Sequence, residues 1–368
     1  MQRDIQVTDM QRDIQVTDPQ RDIQVTDMQR DIQVTDPQRD IQVTDPQRDI
    51  QVTDMQRDIQ VTDMQRDIQV TGPQGDIQVT DPQRDIQELE HQYSPSHWSH
   101  RMDKDVVIEA HVRETAEGTR KSQAVARTAM NIQYGDSDSE RMDLYLPDGE
   151  QTKFPILVYI HGGYWQFLSK EESGFMAAPL VSNGIAVMAM DYDIAPKGTM
   201  DVMVAQVRRS IAKVYRLYPQ NTGIYLCGHS AGAHLVAMTL CTDWEEYGAI
   251  PNIRGAVLVS GVYDLRPITH TYVNDELRMS QEVALKNSPI QHVRRMSPLT
   301  CPMVIVVAEH DSPEFQRQSQ LYFQSLTDSG LRVSYVQVDG TDHFDVIERL
   351  GQEDYVLTQL ILKMILDN

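Results

Sequence analysis

From Ile132 onward the chain alternates short, nearly continuous apolar runs with longer stretches in which apolar residues recur every three to four positions. The first kind predicts strands at Met142–Leu146, Ile156–Ile160, Ile185–Asp191, Gly223–Cys227, Ala256–Ser260, Met303–Ala308 and Val333–Val338. Runs apolar on both sides of the pleat suit parallel strands covered on both faces. The second kind predicts helices. Thr199–Tyr218 sets Met203, Val207, Ile211, Val214 and Tyr215 on one face and stops before Pro219. Ser312-Pro313 reads as an N-cap followed by proline at the first helical position, with Gly330 as the stop. Residues 352–366 form a last apolar-faced helix, and 103–128 a helix ahead of the sheet. Strand and helix in alternation over this length give an α/β domain with a mostly parallel, doubly wound sheet. About forty polar residues between the runs at 260 and 303, with short helices around Asn274–Lys286, break the rhythm. Past the end of a strand they are placed to cover a site, although a plain surface excursion fits the sequence equally well.

Ahead of this body the period changes. Residues 1–81 are nine copies of a nine-residue unit, seven of them MQRDIQVTD or PQRDIQVTD, and a tenth begins at Pro82 and dissolves after Gln87. The unit has two reliably apolar residues, Ile and Val, alternating at strand period. So little apolar surface does not offset the entropy of ordering nine residues, so 1–87 is expected to be disordered, with a stacked β array as the alternative. The domain boundary falls there, and 88–368 is one folded unit.

Composition narrows the function. The net charge is −21: copies one to seven carry −1 each, copy eight none and copy nine −2, which leaves −12 on the rest. A body so acidic, with no basic run, is a poor binder of nucleic acid. Three cysteines, Cys227, Cys241 and Cys301, cannot all pair and have no metal-ligand spacing, so reduced thiols are expected. No apolar run approaches the ~18 residues of a membrane span, and the reading is a soluble intracellular protein.

The sharpest chemical signal is Gly228-His229-Ser230-Ala231-Gly232, between a strand and an Ala/Leu-rich helix. This is the G-x-S-x-G nucleophile elbow in the context it requires: a tight turn whose glycines allow neighbouring backbones to approach and whose serine stands exposed at a helix start. About seventy residues earlier, His161-Gly162-Gly163-Tyr164-Trp165 follows another strand. In α/β-hydrolases a loop at this place supplies an oxyanion-hole N–H, joined by the N–H after the nucleophile; here the candidates are Gly162, Gly163 and Ala231. The chain order serine, acid, histidine points to His343, directly after the last strand, as the base. Asp311, after the strand at 303–308, is the preferred acid; Asp264 and Asp342 are its rivals. His161, His229 and His234 lie inside the motifs or one turn beyond, where packing explains them, His310 adjoins the acid, and the remaining histidines read as surface, N-terminal or insertion residues. Tyr164 and Trp165 suit either an aromatic substrate or the core. Arg278 in the insertion is a guess for a carboxylate partner.

These motifs, together with Glu88–Ser96, Tyr192–Gly198 and Asp342–Asp345, resemble those of the vertebrate-type kynurenine formamidase (arylformamidase) family of the α/β-hydrolase superfamily, over Glu88 to Asn368. His-Gly-Gly-Tyr-Trp, rather than the His-Gly-Gly-Gly of many lipases and esterases, favours this family. The resemblance implies hydrolysis of N-formyl-L-kynurenine, the second step of tryptophan breakdown by the kynurenine route. It also implies Ser230, His343 and Asp311 as the triad, no metal or organic cofactor, a cytosolic and sometimes nuclear location, and a homodimer. The repeat is the departure from that pattern. A broad carboxylesterase with the same triad, a binding protein without catalysis, and a scaffold assembled through the repeat are the competing readings.

Overall fold

A computed structural model describes residues 86–149, 153–296 and 301–367, save the side chain of Arg295. Of the repeat it describes the backbone of each Ile-Gln-Val-Thr core, from Ile5–Thr8 to Ile77–Thr80. These cores run as strands, each paired in parallel and in register with the copy two further on, so odd and even copies form separate sheets of five and four strands. The expectation of disorder over 1–87 falls on a segment whose side chains, up to residue 85, lie outside the described residues; at its end the backbone is helical, over Pro82–Gln92. The chain divides into two units, Met1–Leu89 and Glu90–Asn368, and the second carries the chemistry.

That second unit is built on eight strands: β1 (Arg127–Gln133), β2 (Arg141–Leu146), β3 (Pro155–Ile160), β4 (Ala186–Met190), β5 (Gly223–His229), β6 (Ile253–Val259), β7 (Met303–His310) and β8 (Val333–Asp342). Their order in the sheet is β1-β2-β4-β3-β5-β6-β7-β8. Only β2 runs against its neighbours; from β4 to β8 every pair is parallel. The main helices are α1 (Lys104–Val125), α2 (Ala177–Ser182), α3 (Met200–Leu217), α4 (Ala231–Leu240), α5 (Pro313–Asp328) and α6 (Val356–Leu366). Their starts follow local chemistry. The side chains of Asp103, Thr199 and Ser312 accept from backbone N–H groups in the first turns of α1, α3 and α5, where the helix has no acceptor of its own.

Both faces of the parallel strands are buried, as their composition requires. On one face Leu157, Tyr159, Val187, Val257 and Val306 pack with Leu180 of α2 and Ile361 of α6 in a single core. On the other, Ser210 of α3 donates to Met190 Sδ of β4. Strand β1 has no counterpart in the apolar pattern because it is an edge with half-exposed residues and a bulge between Ala129 and Ile132. Asn131, at φ +55°, turns its N–H there onto Asp143 Oδ1 at 2.7 Å.

Candidate active site

Register brings the chemistry to one edge of the sheet. Strands β3 and β5 are neighbours with Ile160 opposite Gly228, so the loops that begin at His161 and Ser230 leave side by side. Strands β7 and β8 are likewise neighbours with His310 opposite Asp342, so Asp311 and His343 emerge together. Ser230, Asp311 and His343 therefore follow the carboxyl ends of three strands, far apart in sequence; Ser230 and His343 line one cavity, and Asp311 pairs with His343.

Ser230 stands at φ +54°, ψ −119°, a conformation that β-carbon sterics make costly and that persists only when its surroundings enforce it. They do. Its N–H donates to Val259 O at 2.8 Å, and a β-carbon on Gly228 or Gly232 would strike the backbone of Gly232 and Ile160 respectively. Ala231 is the first residue of α4, so its N–H has no intrahelical acceptor. Gly162 lies so close that a β-carbon there would come within 3.2 Å of Ser230 Cβ, and Gly163 takes φ +86°, which favours glycine. Gly162 thus lays backbone, not side chain, against the serine, while Gly163 packs on the Phe167 backbone and lines the same cavity as Ser230.

His343 donates from Nδ1 to Asp311 Oδ1 at 2.7 Å, with both side chains buried. Asp311 Oδ2 accepts from Ser260 Oγ at 2.6 Å and from the Ala308 N–H at 2.9 Å, so the carboxylate is fully engaged. The rivals are used elsewhere. Asp264 is forked onto Arg266. Asp342 is held by Arg101 and Ser99 and accepts the N–H of Phe344 and of Asp345, pinning the loop that carries His343.

Ser230, His343, Gly163 and Tyr164 open into a cavity of about 570 Å³ whose lining is mainly apolar, with Ile108, Phe167, Leu168 and Phe344 among it. Tyr164 is fixed there by donating to Tyr93 O at 2.6 Å. Trp165 is a correction: it is fully buried away from the cavity, donating from Nε1 to His234 Nδ1 at 3.2 Å. Arg278 is a second correction, an exposed helix end outside the cavity lining. The insertion does reach the site, through Tyr272. The motif histidines are structural. His161 stacks on Tyr192, and burial pushes its imidazole down to about 4. Burial does the same to His234, also to about 4. His229 is pushed well down by burial and by the neighbouring His343 and His111, and its Nε2 lies 2.7 Å from His343 O.

The sequence pattern passed over Ser260 and His111. Ser260 ends an apolar run and has no motif around it. His111, grouped with the N-terminal histidines, lies on α1, lines the cavity and donates from Nδ1 to Glu348 at 2.9 Å. Its burial against Glu348, some 240 positions downstream, leaves no local signal. Among the described residues no group of three or more His, Cys, Asp or Glu is arranged to hold a metal ion.

A parallel sheet of this order, a strained serine on a strand-to-helix turn and a buried Asp–His pair define a serine hydrolase of the α/β-hydrolase class. The fold is shared with a putative thioesterase from Silicibacter sp. TM1040, at TM-score 0.63 and 25% identity over 76% of this chain and 99% of that one. A family model described as BD-FAE matches residues 142–326. Kynurenine formamidases from Salmo salar and Danio rerio are 55% and 53% identical over 279 residues, in each case 75% of this chain and 95% of the relative. The chain belongs to the kynurenine formamidase family.

Proposed function

We propose that Ser230, His343 and Asp311 hydrolyse N-formyl-L-kynurenine to L-kynurenine and formate. Ser230 Oγ attacks the formyl carbon while His343 Nε2, the ring nitrogen not tied to Asp311, takes its proton. Asp311 fixes the tautomer and stabilises the imidazolium. The N–H groups of Gly162, Gly163 and Ala231 receive the oxyanion, where each such donor is typically worth ~10²–10³ in rate. His343 then returns the proton to the departing aryl nitrogen, and water releases formate from the formyl-serine. An aryl amine leaves more readily than an alkyl amine, and a formyl group is small, which suits amide cleavage by an esterase-like site. The observation that carries this reading is the Asp311–His343 pair, whose imidazole lines the same cavity as Ser230, in a chain that matches vertebrate kynurenine formamidases over nearly all of their length.

The test compares the full chain with Ser230→Ala on N-formyl-L-kynurenine and on a short-chain aryl ester. Formamide hydrolysis is expected in the first and a loss of at least ~10³-fold in the second. Ester turnover without formamide turnover would move the assignment to a general carboxylesterase, the reading the fold alone also admits. A homodimer and a cytosolic location extending to the nucleus are proposals that rest on family membership; sedimentation and cell fractionation test them. The acidic body supports the absence of a nucleic-acid partner, and no described helix is long and apolar enough to cross a membrane.

A further inference from the structure

The described residues lining the cavity include one carboxylate, Glu172, and no lysine or arginine. Of the three imidazoles in the lining, two use one ring nitrogen on protein carboxylates and the third lies against a backbone carbonyl. Whatever charge the walls permanently present to a ligand is therefore negative and is concentrated at Glu172.

The geometry of Glu172 is unusually fixed for a half-buried glutamate. It is the third residue of a capping box: Oε2 accepts the Ser169 N–H at 3.0 Å and the Ser169 hydroxyl at 2.8 Å. Among the described residues nothing donates to Oε1. The turn itself is tethered from beneath. Lys170 is buried, with its Nζ 3.1 Å from Asp143 Oδ2 on β2 and its N–H on Asp191 Oδ1 at 2.6 Å. One oxygen is held by the protein and the other is left to the cavity, on a side chain whose ordering cost is already met by the fold.

We infer that Glu172 is the specificity-determining residue for the cationic end of the substrate, its free oxygen receiving the α-ammonium group of an amino-acid-bearing aryl formamide. This rests on the formamidase reading. It follows that recognition is asymmetric: the ammonium is read by a fixed charge, and the substrate carboxylate meets no permanent cation among the described residues of the walls. A decarboxylated substrate keeps the contact and a deaminated one lacks it.

The experiment measures kcat/KM of the full-length protein on N-formyl-L-kynurenine, on N-formylkynuramine (no carboxylate) and on the deaminated keto acid with the same formanilide. Glu172→Gln retains the capping box, which accepts glutamine at this position, and removes only the charge. The expected result is a fall of about tenfold or more in the preference for the two ammonium-bearing substrates over the deaminated acid, carried by KM with kcat little changed. Glu172→Asp, which keeps the charge, is expected to restore part of that preference. A ratio unchanged in Glu172→Gln, with the first substrate well hydrolysed by the unaltered protein, overturns this assignment alone. Failure of the unaltered protein to hydrolyse either ammonium-bearing formamide overturns the formamidase reading and this inference with it.

Discussion

Tyr164 and Trp165 are adjacent in the chain and part company in the fold. The first lines the cavity and the second is sealed in the core against His234. Both take positive φ, +49° and +60°, so the turn that swings one ring outward drives the other inward. The Trp165 N–H fixes the His234 tautomer, leaving Nε2–H to donate to Asn287 O at 2.7 Å. Trp165→Phe is accordingly expected to cost about 1–3 kcal/mol, since it orphans a buried imidazole nitrogen, and to leave KM nearly unchanged. Urea denaturation and steady-state kinetics read the two effects separately. A large rise in KM at undiminished stability would return Trp165 to the substrate site. Residue type alone could not separate the two aromatics, because the choice depends on a backbone angle enforced by neighbouring loops.

At the scale of elements, the loop between β3 and α2 is held by a buried ion pair rather than by packing alone. Lys170 and Asp143 are almost wholly enclosed, and Asp143 also fixes the bulge in β1 through the Asn131 N–H. Removing one member leaves the other charged and buried, which typically costs ~3–5 kcal/mol. Lys170→Met should therefore destabilise by that amount, and the double variant Lys170→Met/Asp143→Leu should recover a substantial part of it. Additive losses in that double-mutant cycle would sink the idea that the pair acts as a unit. Elements with strong periodicity are legible in the chain itself. Strands β2 to β8 and helices α3 and α5 follow the apolar runs and caps to within a few residues. Strand β1 is not legible in that way, because an edge strand broken by a bulge buries too little to leave a pattern.

The whole molecule carries three buried motif histidines in their neutral form, and they dominate its acid response against the opposite contribution of Asp191, whose carboxyl is pushed up by burial to about 6. His161, His234 and His229 all titrate lower in the fold than the ordinary ~6.5, through burial. The unfolded chain thus takes up protons first as pH falls. The stability these groups contribute is complete above about pH 6.5 and is lost progressively toward pH 4. Asp342 acts in a lower window: against the burial that would raise it, Arg101 and Ser99 hold it far below the usual carboxylate range, so its contribution fails only below about pH 4. The urea midpoint is expected to fall from pH 6.5 to pH 4 and to fall again below that. A midpoint flat between 6.5 and 4 in an Asp191→Asn variant, where the opposing carboxyl is removed, would mean that these imidazoles are solvated or paired in the native state.

The sequence by itself determined the fold class and the candidates for nucleophile and base, and it left Asp311 as the preferred acid beside Asp264 and Asp342, because each of these readings rests on a motif or on chain order. Short continuous apolar runs mark strands buried on both faces, the elbow needs glycines at fixed offsets, and the order of Ser230, Asp311 and His343 follows the strands that carry them. Tertiary structure alone decided what surrounds them. That Ser260 supports Asp311, that His111 and Glu172 line the cavity, and that Arg278 does not, are outcomes of strand register and of segments packed together from far apart in the chain. Such contacts leave no period or spacing in a single chain. They come into being only when the sheet closes its neighbours in space.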